Sequence, residues 1–264
     1  MSITRTDALY LGLVGDGDQS WGAAMRQNIQ VLEALQLPTN CYFVSPQFTD
    51  ANLHAASASA PRFFSTLQAA HDAITTGTGW DKRAVIYVYP GQYQENLAIT
   101  KTCAFISMVP AWYRALGAMR GAELLGSYTV QSPLITMAPA NSTEVNVAFV
   151  GFMLENLYSS TTAGNIANAL IARVTPQSVY GARSNVLSFV DCEIRMQCYG
   201  SANDWQAGIW VAGWSGLGLR NCNVKSGVYG AGNNNAGVQN LFYCRGNNAN
   251  GKACSVQVIN SRIA

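Results

Sequence analysis

The chain has 264 residues, 49% of them hydrophobic, with 24 Gly and 8 Pro, a balance that excludes a disordered chain. Charged residues make up only 11% and the net charge is +2. Without a Lys/Arg cluster, that argues against nucleic acid as a partner. No apolar run reaches the ~18 residues of a membrane span, since the richest stretch is broken by Glu155 and Asn156. No membrane partner is expected, and MSITRTDALY lacks the apolar core of a signal peptide. A surface this poor in charge is expected either to be buried against copies or partners or to be kept soluble by neutral Asn, Ser and Thr.

Residues 1–40 begin with a short extended start and a GDGD turn, and then a helix pattern follows in SWGAAMRQNIQVLEAL. Ser20 can cap it, and Trp21, Met25, Ile29 and Leu32 share one face, which makes them candidates for attachment or oligomerisation. CYFVS reads as a strand, and ANLHAASASA as a connector. In FFSTLQAAHDAITTGTGW, Ser65 with Gln68 forms a possible capping box. Leu67, Ala70 and Ile74 give an apolar stripe, and Gly77 and Gly79 end the helix. The predicted division is an arm, helix and connector over 1–60, followed by a β domain with its capping helix over 61–264.

From residue 84 onward the texture is short β-rich segments separated by Gly, Asn, Ser and Thr. Four of these superimpose without gaps: NVAFVGFML (146–154), VLSFVDCEI (186–194), GLGLRNCNV (216–224) and SVQVINSRI (255–263). In each, the second, fourth, seventh and ninth residues are apolar or small. Between them the phase shifts by one residue at Gly151, Asp191, Asn221 or Asn260. That is the signature of a strand, a bend and a second strand, with the bend taken by residue types that tolerate its backbone angles. Further strands are expected at ALIARV, GIWVAG and GVQNLFYC. A sandwich does not explain why the corner recurs in phase, whereas stacked turns of a parallel β-solenoid do. Cys192 and Cys222 would then stack inside it. With seven Cys in no CxxC spacing and only two His, free thiols and no metal site or cofactor are expected.

The stretch from Phe63 to Lys101 resembles the opening of pectin-lyase-like right-handed parallel β-helix proteins, pectin methylesterases above all. The residues that carry the resemblance are Ile86, Val88, Pro90, Gly91, Tyr93, Glu95 and Leu97. It implies an all-β fold, a right-handed parallel β-helix (solenoid) with an N-terminal arm and capping helices. It also implies where catalytic groups would lie: Asn168 stands in place of the family's Gln, and Tyr199 and Tyr229 occupy the positions of its two Asp. Both carboxylates are therefore absent, and no esterase of that type is expected. Of the other carboxylates, Asp191 and Glu193 are expected to form a solvated bend, and Glu95 to cap turn amides. Both His precede residue 72, away from any Ser or Cys they could activate, and DGDQS departs from a calcium loop at Trp21 and Gln27.

GDGDQSWGAAMRQNIQVLEAL also resembles, through Trp21, Gly22, Asn28, Leu32 and Glu33, the openings of bacteriophage tail-fibre, tailspike and head-decoration proteins. Taken with the β-helix, this resemblance implies a non-enzymatic virion protein, made in the host cytoplasm, more at home on the capsid surface than on the tail. A homotrimeric decoration or cement protein bound to the major capsid protein is expected. The alternative is a tail protein that binds or degrades host polysaccharide. For it, Trp205, Tyr199 and Tyr229 are the candidate glycan-stacking residues, with Trp210 expected in the core or an interface.

Overall fold

The computed structural model describes residues 4–5, 12–13, 40–48, 62–74, 84–109, 121–126, 132–138, 144–159, 164–174, 185–199, 203–213, 215–229, 241–245 and 254–263. Strands β1 (Thr4–Arg5) and β2 (Gly12–Leu13) pair antiparallel. Strands β3 (Cys41–Val44) and β4 (Phe63–Phe64) precede the short helix α1 (Leu67–Asp72).

The PGxYxE segment then traces the repeating unit. In it, β5 (Ala84–Val88), β6 (Gly91–Gln94) and β7 (Leu97–Ile99) belong to three different sheets. The next strands visit the same sheets in the same order: β8 (Cys103–Ser107), β9 (Ala122–Leu125) and β10 (Ile135–Met137). The third pass is β11 (Asn146–Val150), β12 (Met153–Ser159) and β13 (Gly164–Val174), and the fourth is β14 (Asn185–Val190), β15 (Glu193–Tyr199) and β16 (Asn203–Ala212). A fifth pass follows in β17 (Ser215–Arg220), β18 (Asn223–Tyr229) and β19 (Phe242–Arg245), and a sixth begins with β20 (Ser255–Ile259) and β21 (Arg262–Ile263). The result is an eight-stranded, a six-stranded and a five-stranded sheet, each parallel throughout. Strand β3 lies within the eight-stranded sheet, between β5 and the edge strand β4.

The corner repeat seen in the sequence is the register of these sheets. Val147, Leu187, Leu217 and Val256 align, as do Leu154, Ile194, Val224 and Ile263. Its bend residues Gly151, Asp191, Asn221 and Asn260 have φ of 73°, 53°, 53° and 47°. These are left-handed angles, for which Gly, Asn and Asp are the least strained choices. Backbone amides join the residues just after the bends: Glu193 donates to the carbonyl of Phe152, and Asn223 to that of Cys192, both at 2.9 Å. Phe152, Cys192 and Cys222 are all buried, as one stacked interior column requires.

One hydrophobic cluster joins all three sheets, with Ile86, Leu124 and Ile135 each fully buried in it. An aromatic ladder runs through it. The Phe105 and Phe149 rings stack at 4.8 Å, Phe189 continues the stack at 5.8 Å, and Phe152 meets Phe149 edge-on at 5.6 Å. Burying each such ring contributes about 1.5–3 kcal/mol, which makes this column a main source of cohesion between passes.

Helix α1 packs against the strands of the early passes through the shared core cluster. Leu67, Ala70 and Ile74 are buried, as the apolar stripe predicts. The predicted cap needs correction: Thr66, not Ser65, is the N-cap, its hydroxyl accepting from Ala69 N at 3.2 Å. Gln68 does not complete a capping box. It spans to the strand β7, donating to the Ala98 carbonyl at 3.1 Å and accepting from the Ala98 amide at 2.8 Å. A long-range pairing with a strand backbone displaces the local one.

Candidate functional site

Glu95, the one charged residue of the PGxYxE segment, aims its carboxylate at the start of α1. It accepts from Leu67 N at 2.8 Å and Gln68 N at 3.0 Å, two of the amides that a helix leaves without internal partners. Burial pushes its pKa up, against the pull of those two bonds. His71, on the same helix and fully buried, accepts from Thr100 N and Lys101 N through Nε2, each at 3.2 Å. Its Nδ1 lies 3.0 Å from the Asp72 carboxylate. Burial is the main cause that lowers the His71 pKa, so the imidazole is neutral, with its proton on Nδ1.

The other candidate carboxylates are engaged at the corners. Asp191 accepts from the Asn221 side chain at 3.0 Å, one bend above it. Glu193 accepts from Arg195 and from Lys225 at 3.0 Å, and these partners hold its carboxyl below the usual range against the opposing effect of burial. Glu155 faces Arg195 at 3.7 Å. Among the described residues no three His, Cys, Asp or Glu side chains converge on a metal-sized space. Cys192 and Cys222 are free and buried. The Cys192 thiol donates to the Phe149 and Val190 carbonyls, and burial pushes its pKa well up.

The aromatic candidates divide. Tyr199 and Tyr229 are brought together: they are register partners on β15 and β18, with Ser159 continuing the row on β12. Trp205 is not in a loop, as its Gly/Ser/Asn surroundings imply. It belongs to β16, opposite Ile166 of β13, because parallel pairing extends the strand back to Asn203. Trp210 is not in the core either. Its neighbours Ile209 and Val211 are buried in the cluster, and strict alternation turns Trp210 to the opposite face, where it is half-buried. There it forms a row that sequence reasoning missed. The Arg173 guanidinium lies 5.4 Å from the Trp210 ring centre, and Tyr243 meets the same ring edge-on at 4.8 Å. Aligning ALIARV, GIWVAG and NLFYC on Val174, Val211 and Cys244 would have revealed it, since those three are register partners. Trp21, Met25, Ile29 and Leu32 lie outside the described residues, as do Trp214 and the Asn-rich run 230–237.

Fold and site together define a mostly β protein of parallel sheets, in which Glu95 caps a helix and Asp191, Glu193 and Glu155 meet polar or cationic neighbours at the corners. No family model, curated protein or solved structure matches this chain.

Proposed function

We propose that the chain is a right-handed parallel β-helix of the pectin-lyase-like kind, serving as a non-enzymatic structural protein of a bacteriophage virion. The observation that carries the reading is the fixed rotation of successive strands through three parallel sheets, with left-handed bends superimposed at each corner. Crossovers between parallel strands are overwhelmingly right-handed, which sets the sense of winding. The engagement of Glu95, Glu193 and His71 in structural bonds supports a scaffold role. The low charge of the chain fits a surface covered by copies and neighbours. The virion placement draws on the resemblance of the N-terminal segment around Trp21, Asn28 and Leu32. On this reading the protein is a homotrimeric decoration protein seated on the major capsid protein.

The test is composition and mass. Immunogold labelling of phage particles made from the genome that encodes the chain should decorate the head shell, and light scattering of the purified chain should give a trimer. Particles without the chain would overturn the virion reading, and a monomer would overturn the trimer.

The row of Arg173, Trp210 and Tyr243 favours a second reading, a tail protein that binds host polysaccharide, because half-buried rings with a guanidinium beside them suit sugar faces. A glycan-array signal lost in Trp210→Ala would favour it, and tail-tip labelling would accompany it.

A further inference from the structure

Cysteine placement at the end of the sheets points to chemistry that the scaffold reading does not contain. Cys244 lies in β19, in register with Val211, and Cys254 immediately precedes Ser255, the register partner of Gly216. At the corner from β16 to β17, only residues 212–214 separate Val211 from Ser215 in the sequence. At the next equivalent corner, from β19 to β20, these positions are held by the two cysteines, with residues 245–253 between them in the sequence. Register thus sets one cysteine near the end of β19 and the other at the start of β20, and Cys254 lies near enough to Cys244 to act on its thiol. Both thiols are free; Cys244 is exposed and Cys254 half-buried, whereas Cys41, Cys103, Cys192 and Cys222 are buried.

We propose that Cys244 and Cys254 are the site of a reversible intrachain disulfide that clasps the end of the five-stranded sheet to the end of the eight-stranded sheet. The oxidant is a low-molecular-weight disulfide, oxidised glutathione being the example. One cysteine thiolate attacks a sulfur of the oxidant, whose S–S bond breaks to release one glutathione thiolate. The second cysteine thiolate then attacks the mixed disulfide and expels the other glutathione. Two protein thiols are oxidised, one oxidant molecule is reduced to two thiols, and the two thiol protons pass to the released glutathiones.

The bond would fasten the strands with most to gain. Val256, Val258, Ile259 and Ile263, in β20 and β21, are exposed at the open edges of their sheets. Partial burial and the neighbouring Cys254 push the Cys244 thiol up to about 11, so closure through that sulfur quickens as pH rises.

The experiment treats the native full-length chain with oxidised glutathione, alkylates it, digests it unreduced and maps the peptides by mass spectrometry. The expected product is a Cys244–Cys254 link, with amide exchange across residues 255–263 slowed several-fold and reversed by a reducing thiol. Cys254→Ser should leave only a glutathione adduct on Cys244 and no slowing. Separate adducts on both cysteines of the unmutated chain, a link through any other cysteine, or a link without slowed exchange would each overturn the proposal.

Discussion

The Glu95 carboxylate caps the amide of Leu67 from 28 residues downstream, at 2.8 Å, and its second oxygen holds Gln68 N at 3.0 Å. Helix α1 is thus fastened by the turn between the second and third strands of the first complete pass. Losing a helix cap costs about 1 kcal/mol, and leaving buried amides unpartnered adds about as much again. Glu95→Ala should therefore lower stability by roughly 2 kcal/mol in urea titration, with Glu95→Gln intermediate because it keeps one oxygen acceptor. An unchanged midpoint for Glu95→Ala would mean that α1 does not depend on this contact.

His71 makes the same helix sensitive to acid. Its folded pKa lies below the ordinary 6.5, so the unfolded chain binds more protons just beneath that pH. Stability from this group is present above 6.5 and is lost as pH falls below it. Asp72 and Gln68 face its Nδ1, and Lys101 lies nearby. The Glu95 pKa is raised by burial, so it works in the opposite sense at acidic pH. Comparing the unmutated chain with His71→Gln isolates the imidazole: the stability difference should shrink as pH is lowered from 7 to 5, read by thermal melts.

Gly208 has no room for a side chain. A Cβ there would collide with the Met196 sulfur and come within 2.9 Å of the backbone carbonyl of Leu241. Gly208→Ala should cost about 1–3 kcal/mol. At Gly216 the nearest atom to an added Cβ is the Ser255 hydroxyl, 3.3 Å away and able to rotate. Gly216→Ala should stay within about 0.5 kcal/mol, so the two midpoints separate close packing from general glycine loss.

Asn221 carries the bend of the fifth pass at φ 53° and reaches Asp191 at 3.0 Å. A β-branched residue is strained at that angle by about 1–3 kcal/mol. Asn221→Val should therefore destabilise the chain by that amount, while Asn221→Gly, which relieves the angle but loses the side-chain bond, should cost under about 1 kcal/mol. Equal midpoints for the two variants would contradict a left-handed bend.

The corners were legible in the sequence. Alternation around Gly151, Asp191, Asn221 and Asn260 is enforced locally, because inward residues must be apolar and the bend must tolerate a positive φ. The buried stripe of Leu67, Ala70 and Ile74 was legible for the same reason. By contrast, contacts made between distant segments leave no mark on local pattern. The cap on α1 comes from Glu95, Trp205 pairs with Ile166, and Arg173, Trp210 and Tyr243 form a row only because three passes align. Periodicity decides which face of a strand is apolar, since each residue feels the core directly. Which strands lie side by side, and so which outward side chains touch, depends on the length of every intervening connection, and only the folded chain resolves it.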